Sequence, residues 1–141
     1  MLSFLIAGFL HFAVTAASLN GLPRHTVTAV DEHGQSAQYA GVLLRDFLAH
    51  AGVPAGHDLH GKNMTRFVVV DAADGYRVVF SLAELDASFN DRDVIIAETR
   101  DGTAFTAHEG PYRLIVPGEK RGARWVREVT AIDVEDVKDE A

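Results

Sequence analysis

Asp74-Gly75-Tyr76-Arg77-Val78-Val79-Phe80-Ser81-Leu82-Ala83-Glu84-Leu85 is the stretch that decides how this chain is read. Its Asp-Gly pair stands between two apolar runs, 67–70 and 78–80. That is a strong hairpin signal, because Gly accepts the positive φ of a tight turn and Asp tolerates it. Ser81 lies three residues before Glu84, a capping-box spacing that turns the second strand directly into a short helix. Tyr76 and Arg77, just past the turn, are predicted at the rim of the sheet, where polar tips can meet a ligand. The same pair also suits a half-buried Tyr and a solvated Arg that only dress the hairpin.

Upstream, the apolar run 2–17 reads as part of the fold rather than as a signal peptide: no Lys or Arg precedes it, and Gly8 and His11 interrupt it. It is also too short and too broken to span a membrane. Residues 2–10 are predicted as one buried strand and 15–22 as a short helix ended by Pro23. The β-branched run 25–30 suits a strand, Asp31-Glu32-His33-Gly34 a polar turn, and 35–39 an antiparallel return. The clearest helix is 41–52, with Leu43, Leu44, Phe47, Leu48 and Ala51 on one face and Gly52 with Pro54 closing it. Residues 53–63 form a loop.

Downstream, 94–98, 103–106 and 112–116 read as strands, with a second tight turn at Asp101-Gly102. Residues 125–134 fit either a helical face or a bulged strand, and their β-branched content favours the strand. The acidic end, 135–141, reads as a solvated tail. The expected fold class is therefore α+β, one domain over 1–134 with a mixed sheet of short strands and a few short helices.

Composition narrows the function classes. A formal net charge of −7 over 141 residues excludes general nucleic-acid binding, which needs an extended basic surface. The absence of cysteine excludes disulfides, thiolate metal sites and cysteine nucleophiles. No carboxylate spacing singles out an acid/base pair, and there is no phosphate-binding Gly-rich loop and no Gly-x-Ser-x-Gly elbow. His57 and His60 suit a metal only on a helical turn, and the flanking Gly56 and Gly61 favour a loop.

The candidate site is a basic cluster. Lys120, Arg121, Arg124 and Arg127 follow Pro117-Gly118 and surround Gly122, a composition suited to a phosphate or carboxylate. The rival reading is a solvated loop paired with surface carboxylates. His25, His33, Arg45 and Tyr76 are secondary candidates from their predicted places near strand ends and turns.

Three stretches together resemble the molybdopterin-binding domain of the sulfite oxidase family. They are Tyr39-Ala40-Gly41-Val42-Leu43-Leu44-Arg45-Asp46-Phe47-Leu48, Ala73-Asp74-Gly75-Tyr76-Arg77-Val78-Val79-Phe80-Ser81-Leu82, and Gly110-Pro111-Tyr112-Arg113-Leu114-Ile115-Val116-Pro117-Gly118. The third continues through Arg124-Trp125-Val126-Arg127 to Ile132. Ile6-Ala7-Gly8 and 17–23 are similar to the family's opening strand and its Leu-x-x-Leu-Pro helix. The resemblance implies a sulfite-oxidase-type fold and a molybdopterin cofactor held largely through its pterin and phosphate. It carries the family's basic loop onto Lys120, Arg121 and Arg124, with Arg127 beside them.

One departure qualifies this. Catalytic members ligate molybdenum through a cysteine thiolate just before the Tyr39-like aromatic, and the matching region, 29–31, has none. The expectation is a stand-alone domain that binds a pterin phosphate or other small anion, with molybdenum left without its usual ligand. Two rivals remain: an oxidoreductase with non-cysteine ligation, Asp31 being a conceivable oxygen ligand, and a cofactor-free interaction domain with a protein partner. Periplasm and cytoplasm both stay open.

Overall fold

The computed structural model describes residues 3–6 and 9–137, and within them two five-stranded antiparallel sheets enclose one hydrophobic core. The first sheet contains β1 (Ser3–Ile6), β2 (Phe9–Ala13), β5 (Arg66–Ala72), β6 (Arg77–Ser81) and β10 (Val129–Asp136), in the order β1-β2-β10-β5-β6. The second contains β3 (His25–Val30), β4 (Ser36–Leu43), β7 (Ile95–Arg100) and β8 (Thr103–Ala104) in chain order, with β9 (Arg113–Ile115) also paired to β7. Phe12, Val68, Val70, Phe80 and Ile132 of the first sheet share the core with Tyr39, Val42, Ile96 and Leu114 of the second. Burial of these side chains drives the closure of the sheets on each other.

The central hairpin forms as its residues dictate. Gly75 takes φ 90° at the turn, and Val70 pairs with Val78, Val69 with Val79 and Val68 with Phe80. Glu84 N–H donates to the Ser81 hydroxyl at 3.1 Å while the Glu84 carboxylate accepts from Ser81 N–H at 2.8 Å. The result is a 3-10 turn over Ala83–Leu85.

Elsewhere the structure differs from the sequence expectations in several places. Residues 2–10 do not form one strand: β1 and the start of β2 fall in that run and the two strands pair antiparallel, with Ala7 and Gly8 outside the described residues. The helix expected over 41–52 is α2 (Leu44–His50), because β4 continues through Leu43. A Cβ at Gly41 would sit 2.0 Å from the Ile96 carbonyl oxygen of β7, so the missing side chain lets two backbones meet rather than starting a helix. Trp125 to Arg127 precede the last strand, which begins at Val129 after a residue at positive φ, Glu128, and carries an irregularity between Val129 and Ala131. Glu135 and Asp136 belong to that strand, opposite Phe67 and Arg66, and 138–141 lie outside the described residues.

Helix is sparse. Besides α2 there is only α1 (Ala16–Leu19) among the described residues, shorter than the expected 15–22 and capped reciprocally by Thr15 and Ser18. The sheets are antiparallel in every described pairing, so the α+β expectation holds only in the coarse sense of strands with a few short helices. No helix among the described residues is long and apolar enough to cross a membrane.

Candidate functional site

Three turns and one strand converge on a cavity of about 250 Å³. The β3–β4 turn brings Glu32, the β5–β6 hairpin brings Asp74 and Tyr76, and β9 brings Arg113. The segment before β10 adds Gly122, Ala123, Trp125 and Arg127. Tyr76 hydroxyl donates to the Ala123 carbonyl at 2.5 Å and ties the hairpin tip to that segment.

Arg113 is the unusual member. It is only 6% exposed, its guanidinium carbon lies 5.5 Å from the Trp125 ring centroid, and its NH1 stands 3.5 Å from Glu109. Its buried Nε has no hydrogen-bond partner. A buried donor left unpaired is costly and marks a place where a ligand or water completes the bonding. Two more buried side-chain atoms are unpaired among the described residues, Tyr39 hydroxyl and Arg100 Nε. Tyr39 stacks on Phe105 and meets Trp125 edge-on at 5.7 Å, and burial pushes its phenol pKa up.

Asp31, in the region that matches the family's cysteine, is committed to its own turn. Its Oδ1 accepts the N–H groups of His33 and Gln35, both at 2.9 Å, and Arg100 faces its Oδ2 at 3.8 Å. The Gln35 N–H leads in holding this carboxyl below the usual carboxylate range. Among the described residues, no group of three or more His, Asp or Glu side chains is placed to hold a metal ion. His57 and His60 fall on successive loop turns.

The expected basic cluster is divided. Arg124 is drawn into the fold: it pairs with Glu119 at 2.5 Å and Glu84 at 3.0 Å, donates to the Val79 carbonyl at 2.9 Å, and lies over the Phe80 ring. It staples β6 and does not line the cavity. Arg127 does reach the cavity, 3.8 Å from Glu32. Lys120 and Arg121 are exposed just before the cavity segment and make no ion pair among the described residues.

Of the secondary candidates, only Tyr76 lines the cavity. Arg45 pairs with Asp93 at 2.5 Å beside a different, small apolar pocket. His25 faces Asp46 of α2 at 3.7 Å, and His33 is exposed next to Glu32. Sequence reasoning passed over Arg113, Glu32 and Trp125. Arg113 carried a signal, since a lone charge inside the apolar run Tyr112-Arg113-Leu114-Ile115-Val116 must be buried with a purpose.

The family model of the oxidoreductase molybdopterin binding domain matches residues 12–141. No curated protein matches the chain. The chain belongs to the oxidoreductase molybdopterin binding domain family.

Proposed function

We propose that this chain, as a member of that family, binds a pterin phosphate or a similar small phosphorylated anion in the Arg113 cavity, without molybdenum–thiolate chemistry. Arg113 carries the reading. It is a buried cation that lines the cavity and whose Nε is unpaired, and a phosphate oxygen that reaches its guanidinium makes a charge-assisted bond. Arg127 adds a second guanidinium, and Lys120 and Arg121 supply a positive approach. Glu32 and Asp74 favour a ligand that also has N–H donors, as a pterin ring does, and Trp125 and Tyr76 offer aromatic surface to it.

The fit to the family cofactor is thus one-sided. With molybdenum bound, that cofactor supplies oxygen-atom transfer. Here the donors suited to its phosphate are present, whereas the 141 residues hold no thiol to ligate the metal and Asp31 is engaged by its turn.

Trp125 is the only tryptophan and lies on the cavity wall, so its fluorescence reports occupancy. Titration with pyrophosphate and with a pterin phosphate is expected to give saturable changes, tighter for the pterin compound. Arg113→Gln is expected to weaken both by about 10–100-fold, the loss of a hydrogen bond to a charged group. Unchanged affinity in a folded Arg113→Gln protein contradicts the proposal.

A further inference from the structure

We propose that Asp71 and Asp133 share a proton on the outer face of the first sheet, and that taking up this proton tightens the sheet as the solution becomes mildly acidic. Strand register builds the arrangement. His11 of β2 stands directly opposite Asp133 of β10, and Asp71 of β5 stands opposite Arg77 of β6. Asp133 pairs with Val69 and Asp71 with Ala131, so the two carboxyls are diagonal neighbours on one face.

Contacts run the length of the row. His11 Nδ1 is 2.5 Å from Asp133 Oδ1, Arg77 Nε donates to Asp71 Oδ1 at 2.7 Å, and Arg77 NH2 lies 3.8 Å from Asp133 Oδ2. Two carboxyl groups can hydrogen-bond to each other only with a proton between them. Asp133 is 3% exposed, so its ionised form is poorly solvated.

Among the described residues, these charged groups face it. From β2 comes His11, from β5 Asp71, from β6 Arg77, and from β10 itself Glu135, which Arg77 approaches at 3.9 Å. β1 contains no ionisable side chain. Three carboxylates thus crowd around one exposed guanidinium and the imidazole of His11. Burial, reinforced by Asp71, pushes Asp133 up to about 6.

The sign follows. A carboxyl whose folded pKa is raised favours the protonated fold, so stability is gained as pH falls from about 7 through about 6. The gain levels off in the ordinary carboxylate range, where the unfolded chain takes up the same proton. Side-chain carboxyl ¹³C NMR between pH 4 and 8 tests this. One carboxyl should titrate near pH 6 and disappear in Asp133→Asn. Thermal unfolding of the whole chain should rise by about 4 °C between pH 7.5 and 5. That rise should be absent in Asp133→Asn, or in Asp71→Asn if the first variant does not fold. Carboxyls that all titrate below pH 5, or a variant that keeps the full rise, overturn the proposal.

Discussion

The guanidinium of Arg113 lies 5.5 Å from the centroid of the Trp125 ring, with its Nε buried and unpaired, and both residues line the cavity. This makes Trp125 both a support for the cation and a reporter of what it binds. Replacing Trp125 with Leu keeps an apolar wall but removes the cation–π contact, worth about 1–2 kcal/mol when desolvated, and leaves the buried Val116 carbonyl without its indole N–H donor, about 1–3 kcal/mol more. The expected outcome is a loss of stability of that order by urea unfolding, with weaker phosphate binding by calorimetry.

Arg124 gives the opposite prediction, because it serves the fold. Arg124→Ala leaves Glu84 and Glu119 without their partner and the Val79 carbonyl of an edge strand without its donor. Stability should fall by about 2–4 kcal/mol in urea unfolding. Ligand affinity in the folded fraction should stay within about threefold, since the residue does not line the cavity.

Gly41→Ala tests the close approach of β4 and β7. The new Cβ would meet backbone atoms of Ile96 and Ala97 at 2.0 to 2.9 Å, which no side-chain rotation relieves. A loss of about 3 kcal/mol or more, or failure to fold, is expected by circular dichroism.

Acid has a second effect below the range where Asp133 gains its proton. The Gln35 N–H leads in lowering Asp31, and the Ser88 hydroxyl leads in lowering Asp86. Burial alone would raise Glu84, but the Ser81 N–H and Arg124 together hold it below its ordinary value. Groups lowered in the fold contribute stability above their unfolded pKa and lose it as pH falls through the folded one. Stability should therefore peak between about pH 4 and 6 and decline below about pH 4. Glu84→Gln should flatten that acid limb in pH-dependent thermal unfolding.

These outcomes also mark how far the sequence could be read. The hairpin at Asp74-Gly75 and the Ser81–Glu84 box were legible because their signals are local: a residue at positive φ and two side chains three positions apart. Gly41 was read as the edge of a helix because the apolar spacing of Leu44, Phe47 and Leu48 is local, whereas its contact with Ile96 is 55 residues away in sequence. Arg124 looked like a ligand for the same reason. Nothing in its neighbourhood announces Glu84 across 40 residues. Arg113 was legible in principle, as a charge inside an apolar strand, but its unpaired Nε belongs to the tertiary structure.

The most direct test of the central claim is the cofactor content of the chain purified from a host that makes molybdopterin, with pterin measured by fluorescence after oxidation and molybdenum by elemental analysis. The account predicts pterin phosphate bound to the wild type, lost in Arg113→Gln, with molybdenum well below one per chain. Stoichiometric molybdenum, or pterin retained in full by Arg113→Gln, would contradict it.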